Sequence, residues 1–454
     1  MEMSQRDSED SESFFKYYSD DNSYFNKYKK LEKEDFEYFL SRRGLTQKIT
    51  PTQQLSELAE KYDRKVNKNL SEGMNNELTF PFTDIEITKN NGTKIIIRGE
   101  ELEHSQQYLS PKGLPRLHSE LMNILEEVHR PPPLERDLLV TNGTHHGLQL
   151  CTDVLVDPGD PVVGTEYSYI GLHAILRQYE VEYLGIPEDK HGLIPEILVS
   201  VLNERLTKGL KMPKVMYLIP TVSNPTGYLM TEERKQKIYE IACKYNMMIV
   251  EDDVYMYLNY TDMTVPSFLS MDTAGRVLRV SSLSKVMMAG LRVGWVTGPT
   301  ELITTMQLAS YSQIVHPCSL AQTIVLHLVT DREYIKDQIV KNRDFYKKQL
   351  NAVHDALTTI EDLIEWEKPD GGYYIWVKIR GIEDVRNMVY QTSFIHGLML
   401  EPGHGFSYDH DKPCPYIRLT FTKANLDTLE DDVKTIGDII RHEIRLSEGK
   451  NLER

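Results

Sequence analysis

Residues 284–292, Ser-Lys-Val-Met-Met-Ala-Gly-Leu-Arg, place a primary amine among groups that bind phosphate. Lys285 has two hydroxyls before it (Ser282, Ser284) and a guanidinium after it (Arg292). Such an amine can form a carbon–nitrogen double bond with a phosphorylated aldehyde, because the donors hold the phosphate while the amine reaches the aldehyde carbon. A solvated surface loop uses the same residue types, so the run has to be read with its neighbours.

Four other stretches carry polar residues directly after or inside apolar runs. Run 138–140 is followed by Thr141-Asn142-Gly143-Thr144-His145-His146-Gly147, a pattern that opens a helix with free amides and so makes an anion site, or an ordinary capped loop. Adjacent His145 and His146 point in different directions on a helix, which argues against a shared metal. Run 215–219 leads to Asn224-Pro225-Thr226-Gly227, a good turn whose Asn224 can also donate its amide to a ring oxygen. Run 247–250 leads to Glu251-Asp252-Asp253-Val254-Tyr255. Three acids at a buried strand end are costly unless each is solvated or paired. One aspartate on a protonated pyridine nitrogen would resolve that cost, with Tyr255 reaching a phenolic oxygen. A solvated acidic turn or a carboxylate metal site are the other readings. Near the end, Arg418 interrupts the apolar Tyr416-Ile417-Arg418-Leu419. Its planar fork matches a carboxylate, whether a substrate's or a structural partner's.

The elements needed to position these groups are an alternation of short apolar strands and helices from residue 138 onward. Thr231 is a plausible N-cap for the clearest helix, over 231–246, with Ile238, Ile241, Ala242 and Tyr245 on one face. Such alternation predicts a mostly parallel α/β sheet with helices on both faces, whose ligands lie beyond the carboxyl ends of the strands. Helical stretches over 321–357, a strand at 373–379 and a return strand near 416–421 predict a smaller α+β domain. The expected division is a flexible acidic extension over 1–44 outside any core, an arm over 45–80, a large domain over 81–320 and a small one over 321–454.

Composition narrows the partners. The chain has 454 residues, 40% of them apolar, and a formal charge of −16 without a basic stripe, which argues against nucleic acid and anionic membrane. No apolar stretch approaches the roughly 20 residues that span a bilayer. The acidic, tyrosine-rich start resembles neither a signal nor a transit peptide. Four scattered cysteines read as reduced thiols, so a cytoplasmic location is expected.

Taken in order, Asn-Pro-Thr-Gly, Glu-Asp-Asp-x-Tyr, Ser-x-Ser-Lys with Gly-Leu-Arg-x-Gly, and Tyr-Ile-Arg-Leu resemble the class I/II, fold-type I, pyridoxal-phosphate aminotransferases from about residue 65 onward. Phe80-Pro81-Phe82, Gln107-Tyr108, Lys112-Gly113-Leu114-Pro115, Asp157-Pro158-Gly159-Asp160 and Glu401-Pro402-Gly403 look most like the kynurenine/α-aminoadipate group. The resemblance implies a large seven-stranded sheet domain, a small domain and a pyridoxal 5'-phosphate enzyme that moves an amino group from an amino acid to a 2-oxo acid. It implies that Lys285 holds the cofactor and shuttles the α-proton, with Asp252 on the pyridine nitrogen and Asn224 and Tyr255 on the phenolic oxygen. Tyr169 would stack on the ring. Thr144, His145, Ser282, Ser284 and Arg292 would hold the phosphate, joined by Tyr108 from the other subunit of a homodimer. Arg418 would grip the substrate carboxylate, Gly73 would let the backbone close over it, and no metal is required. A lyase or decarboxylase on the same scaffold, or a non-catalytic sensor, are the alternatives.

Three departures from the family pattern stand out. His145 replaces a common glutamine. The run 71–76, Ser-Glu-Gly-Met-Asn-Asn, replaces a glycine- and proline-rich stretch and brings Glu72. Gln53 or Gln54 falls where the similar group tends to have an arginine near the substrate's far end. Losing that positive charge should disfavour a second carboxylate, so an aromatic or aliphatic donor is expected in preference to aminoadipate.

Overall fold

The computed structural model describes residues 28–62, 70–71 and 73–452. Seven strands form the main sheet: β1 (Arg136–Thr141), β2 (Pro161–Thr165), β3 (Glu182–Ile186), β4 (Val215–Leu218), β5 (Met248–Asp252), β6 (Val277–Ser282) and β7 (Gly294–Pro299). Their order is β1-β7-β6-β5-β4-β2-β3, and β7 alone runs antiparallel to its neighbours. Strands buried on both faces must be apolar on both, and here the period of two sorts side chains into separate cores. Met248 and Val250 of β5 join Val215 and Tyr217 of β4 on one face, under helices Gly143–Leu155, Ile170–Arg177 and Thr300–Ile314. Ile249 joins Met216 and Leu218 on the other, under Pro195–Lys208 and Glu232–Lys244. Thr231 caps the latter helix as expected, accepting from the Arg234 amide at 3.3 Å.

Strands β2 and β3 were not anticipated. Pro161–Thr165 is short and buried throughout, so it shows no alternation, and Glu182–Ile186 lies at the sheet edge with mixed exposure. A second, antiparallel sheet has the order β8 (Ile364–Trp366), β9 (Tyr374–Ile379), β11 (Tyr416–Thr420), β10 (Glu401–Pro402). Helices Ser319–Thr330 and Arg332–Leu357 precede it. The hairpin Asp84–Thr88 and Lys94–Arg98 packs its Ile95 and Ile97 against Leu328.

Part of the expected extension is corrected by the structure. Residues 1–27 lie outside the described residues, but 28–44 are built into the main core. Leu31, Phe36 and Phe39 are buried among the residues of helix Gly143–Leu155 and strand β6. The Ser41 amide donates to Val154 O at 2.7 Å and its hydroxyl to Asp153 O at 2.6 Å, satisfying carbonyls at that helix's end. High overall polarity concealed three well-spaced apolar anchors.

Candidate active site

Six parallel strands end on one edge of the main sheet, and antiparallel β7 begins there. Gly294 registers with both Ser282 and Thr141, so Arg292, two residues earlier, lies beside the ends of β1 and β6. This edge gathers Thr144 after β1, Tyr169 after β2, Asn224 after β4, Asp252 and Tyr255 at and after β5, and Lys285 after β6.

The three acids resolve into three different environments. Glu251 accepts from the amides of Phe268 and Leu269 at 2.8 and 3.2 Å, and burial pushes its carboxyl up to about 7. Asp253 pairs with buried Arg279 at 2.9 Å. Asp253 also keeps a buried Oδ1 with no hydrogen-bond partner among the described residues, but its charge is balanced by Arg279. Asp252 has neither a paired guanidinium nor an amide pair. Asp252 Oδ2 accepts from the Tyr217 hydroxyl at 2.7 Å, whereas Oδ1 is buried with no hydrogen-bond partner among the described residues. Burial pushes the Asp252 carboxyl up to about 6, against the pull of the Tyr217 hydrogen bond and the Lys285 charge. A protonated ring nitrogen is the kind of group that such an oxygen lacks.

The Lys285 amine lies 5.5 Å from the ring centroids of both Tyr255 and Tyr373. The Tyr373 hydroxyl donates to Lys285 O at 2.6 Å, which fixes the backbone beneath the amine. Next to it the Ser282 and Ser284 hydroxyls are 2.7 Å apart, and Ser282 also receives the Ser284 amide at 2.9 Å. Helix Gly143–Leu155 starts without a side-chain cap, so amides of its first turn are free to meet an anion. Arg292 closes this cradle. A Cβ on Gly143 would stand 2.3 Å from the Arg292 guanidinium, and one on Gly294 would stand 2.8 Å from the Thr144 amide. Glycine at both positions is what lets the donors converge. His145 edges onto Tyr169 with centroids 6.5 Å apart, and burial followed by the Arg292 charge lowers its pKa. These residues fit a phosphorylated pyridine aldehyde.

Across the cleft, Arg418 of β11 donates to Asn224 Oδ1 at 3.0 Å. Its guanidinium lies 3.8 Å from the Tyr374 ring centroid and 4.5 Å from that of Phe406, with Glu401 at 4.0 Å. Stacking of this kind holds the fork flat and leaves edge donors for a carboxylate. Burial, followed by the neighbouring Tyr374, raises the Tyr255 phenol well above its ordinary value.

Two predicted residues stand apart from this assembly within the single chain. Tyr108 is 58% exposed and edges onto His316, and Gly73 is exposed with no atom within 4 Å of an added Cβ. Glu72 lies outside the described residues. Gln53 turns back on its own helix, its Oε1 accepting from the Thr50 amide and hydroxyl at 2.9 Å each. The sequence reading missed Tyr217, Tyr373 and Tyr374. Tyr217 had a usable signal, since a phenol inside a buried strand needs a partner. Tyr373 and Tyr374 looked like ordinary strand aromatics.

The family model for aminotransferase class I and II matches residues 69–431. The kynurenine/α-aminoadipate aminotransferase of Bos taurus, described as mitochondrial, is 33% identical over 89% of this chain and 99% of its own. An aromatic amino acid aminotransferase of Dictyostelium discoideum is 30% identical, covering 93% and 91%. Among solved structures, a Pyrococcus horikoshii kynurenine aminotransferase with bound PMP superposes with a TM-score of 0.73 at 28% identity, covering 90% and 98%. Aminotransferase Aro8 of Candida albicans gives 0.81 at 23% identity over 92% and 99%, a likeness of fold.

Proposed function

This chain belongs to the class I and II aminotransferases, and we propose that it moves the α-amino group of an aromatic, kynurenine-like or aliphatic amino acid to a 2-oxo acid at the constellation around Lys285. The observation that carries the site is the buried, unpartnered Oδ1 of Asp252 at the carboxyl edge of the sheet. Pyridoxal 5'-phosphate, when bound, supplies the aldehyde that takes up the amino group and a ring that accepts the electron pair freed at the α-carbon.

The chain supplies binding, orientation and proton movement. Asp252 keeps a positive charge on the ring nitrogen, and Tyr217 fixes that carboxylate. Thr144, His145, Ser282, Ser284 and Arg292 hold the phosphate, and the Tyr169 ring covers one face. Asn224 and Tyr255 serve the phenolic oxygen. Arg418 orients the substrate through its carboxylate so that the α-proton faces Lys285, whose amine removes it and later returns it. The aromatic walls around Lys285, Tyr255 and Tyr373, keep water from competing for that proton.

The donor class is supported by glutamine, not arginine, at residues 53 and 54 and by the names of the kynurenine and aromatic relatives. Tyr108, exposed here, completes the phosphate site of a second copy in a homodimer, and Gly73 gives room for closure. Residues 81–320 and 321–454 act as the large and small domains. The chain works in the cytoplasm, in keeping with free thiols at Cys151, Cys243, Cys318 and Cys414.

Absorbance of the purified protein during addition of single amino acids tests this. A visible band converting to a near-ultraviolet one, with stoichiometric oxo acid, is the expected result for tyrosine, kynurenine, leucine and methionine. A higher kcat/KM for aminoadipate than for all four would overturn the donor assignment. No band with added pyridoxal phosphate would overturn the site.

A further inference from the structure

His146, next to the phosphate cradle but turned away from it, is held by a chain of hydrogen bonds with only one consistent proton arrangement. Asp153 can only accept, so the Gln313 amide must present its Nε2 to Asp153 Oδ2, at 2.7 Å. Gln313 Oε1 therefore faces His146 Nε2, at 3.2 Å, and His146 must donate from that nitrogen. The bare Nδ1 then accepts the backbone N–H of Asn142, at 3.2 Å. At its far end the chain is anchored by the N-terminal segment, because Arg43 Nη1 donates to Asp153 Oδ1 at 2.8 Å and the Tyr179 hydroxyl also donates there.

Asn142 is the residue from which helix Gly143–Leu155 starts, and its own side chain caps nothing. His146 thus satisfies the Asn142 amide from one turn inside the helix and leaves the next amides, at Gly143, Thr144 and His145, for the anion.

We propose that His146 is the positioning residue of the phosphate cradle. As the neutral Nε2–H tautomer it fixes the Asn142 peptide, while Gln313, Asp153 and Arg43 hold the imidazole in place. This rests on the phosphate reading of the cradle. A proton added at Nδ1 would set two donors, the imidazolium and the Asn142 amide, against each other and turn the loop. Burial lowers the His146 pKa from its ordinary 6.5, Gln313 and Asp153 oppose that, and neighbouring His145 adds to it. The neutral form therefore prevails above that range and is lost as pH falls through the lowered value.

The test is calorimetric binding of pyridoxamine phosphate and inorganic phosphate to the cofactor-stripped full chain at pH 8 and over a descending series of pH values below 6.5. His146→Leu should weaken both by about three- to tenfold at pH 8, the cost of losing the hydrogen bond that orients the Asn142 amide. His146→Gln, which offers an acceptor and a donor on one amide, should bind like wild type at pH 8. Along the descending series it should also lose less affinity than wild type does, since the phosphate's own ionisation is common to both and only wild type has His146 to protonate. Gln313→Leu applies the same disorientation from outside the helix, should His146→Leu fail to fold, and should also weaken binding. Unchanged affinity in His146→Leu or Gln313→Leu, alongside a large loss in Arg292→Ala, overturns the role of His146 and leaves the cradle standing. Equal indifference to Arg292→Ala, or no binding by wild type, overturns the cradle and the role together.

Discussion

The two halves of the cleft are built differently. The cofactor half comes from one sheet edge, where each candidate residue sits within a few positions of a strand end and the strand fixes its direction. The substrate half joins Arg418 of β11, Phe406 before it and Tyr374 of β9 to Asn224 of the main sheet, residues far apart in the chain. The first half depends on a topology that short runs announce. The second depends on how two sheets face each other, which no run encodes. The first should accordingly govern the reaction for every substrate, and the second should govern which substrates are used.

Lys285→Ala should have the largest effect, since it removes both the covalent attachment and the proton carrier. A loss in kcat of about 10⁴-fold or more is expected for every donor, measured by single-turnover conversion. Asp252→Asn should lower kcat by about 10²- to 10³-fold, again evenly across donors, because the ring loses its charge partner. An uneven loss across donors would break the division between the halves. The same variant has a signature without cofactor. The native carboxyl is raised to about 6 from 3.8, so ionising it costs stability that grows from about pH 4 to pH 6 and stays constant above. Apo Asp252→Asn should therefore melt a few degrees above the apo wild type at pH 8, and the gap should close towards pH 4.

On the other side of the cleft, Arg418→Leu should raise KM by about a hundredfold, with a smaller change in kcat, since a charge-assisted pair to the substrate is lost. The smallest expected effect is that of Gln53→Arg. A several-fold rise in kcat/KM for aminoadipate relative to tyrosine, seen in competition, would place residue 53 at the substrate's far end. No change would remove it from the specificity argument.

What the sequence disclosed follows the same division. Five strands of the main sheet and the polar residues beside them, Thr144, Asn224, Asp252, Tyr255 and Lys285, were legible because apolar runs and the polar residues ending them are local signals. Tyr169 came only through the family resemblance, and Tyr217 and Tyr373 were missed. Arg418 was legible as an ion inside a strand. Its stacking on Tyr374 and Phe406 was not, since that depends on the β9–β11 register and on the turn after β10. Asp252 could be singled out from Glu251 and Asp253 only when Arg279 and the Phe268 amide were seen to occupy the other two. Residues 28–44 were misjudged because three buried side chains in a polar segment lower its mean polarity very little.

That segment also bears on the order in which the chain can assemble during its synthesis. The Leu31 amide bonds to Ala274 O and the Ser41 amide to Val154 O. Residues 31–41 thus have their partners made long afterwards, a wait on the order of tens of seconds at ordinary elongation rates. Phe36 and Phe39 must stay in solution until then. The charged residues around them, which disguised the segment as a tail, are what allow it to wait without aggregating.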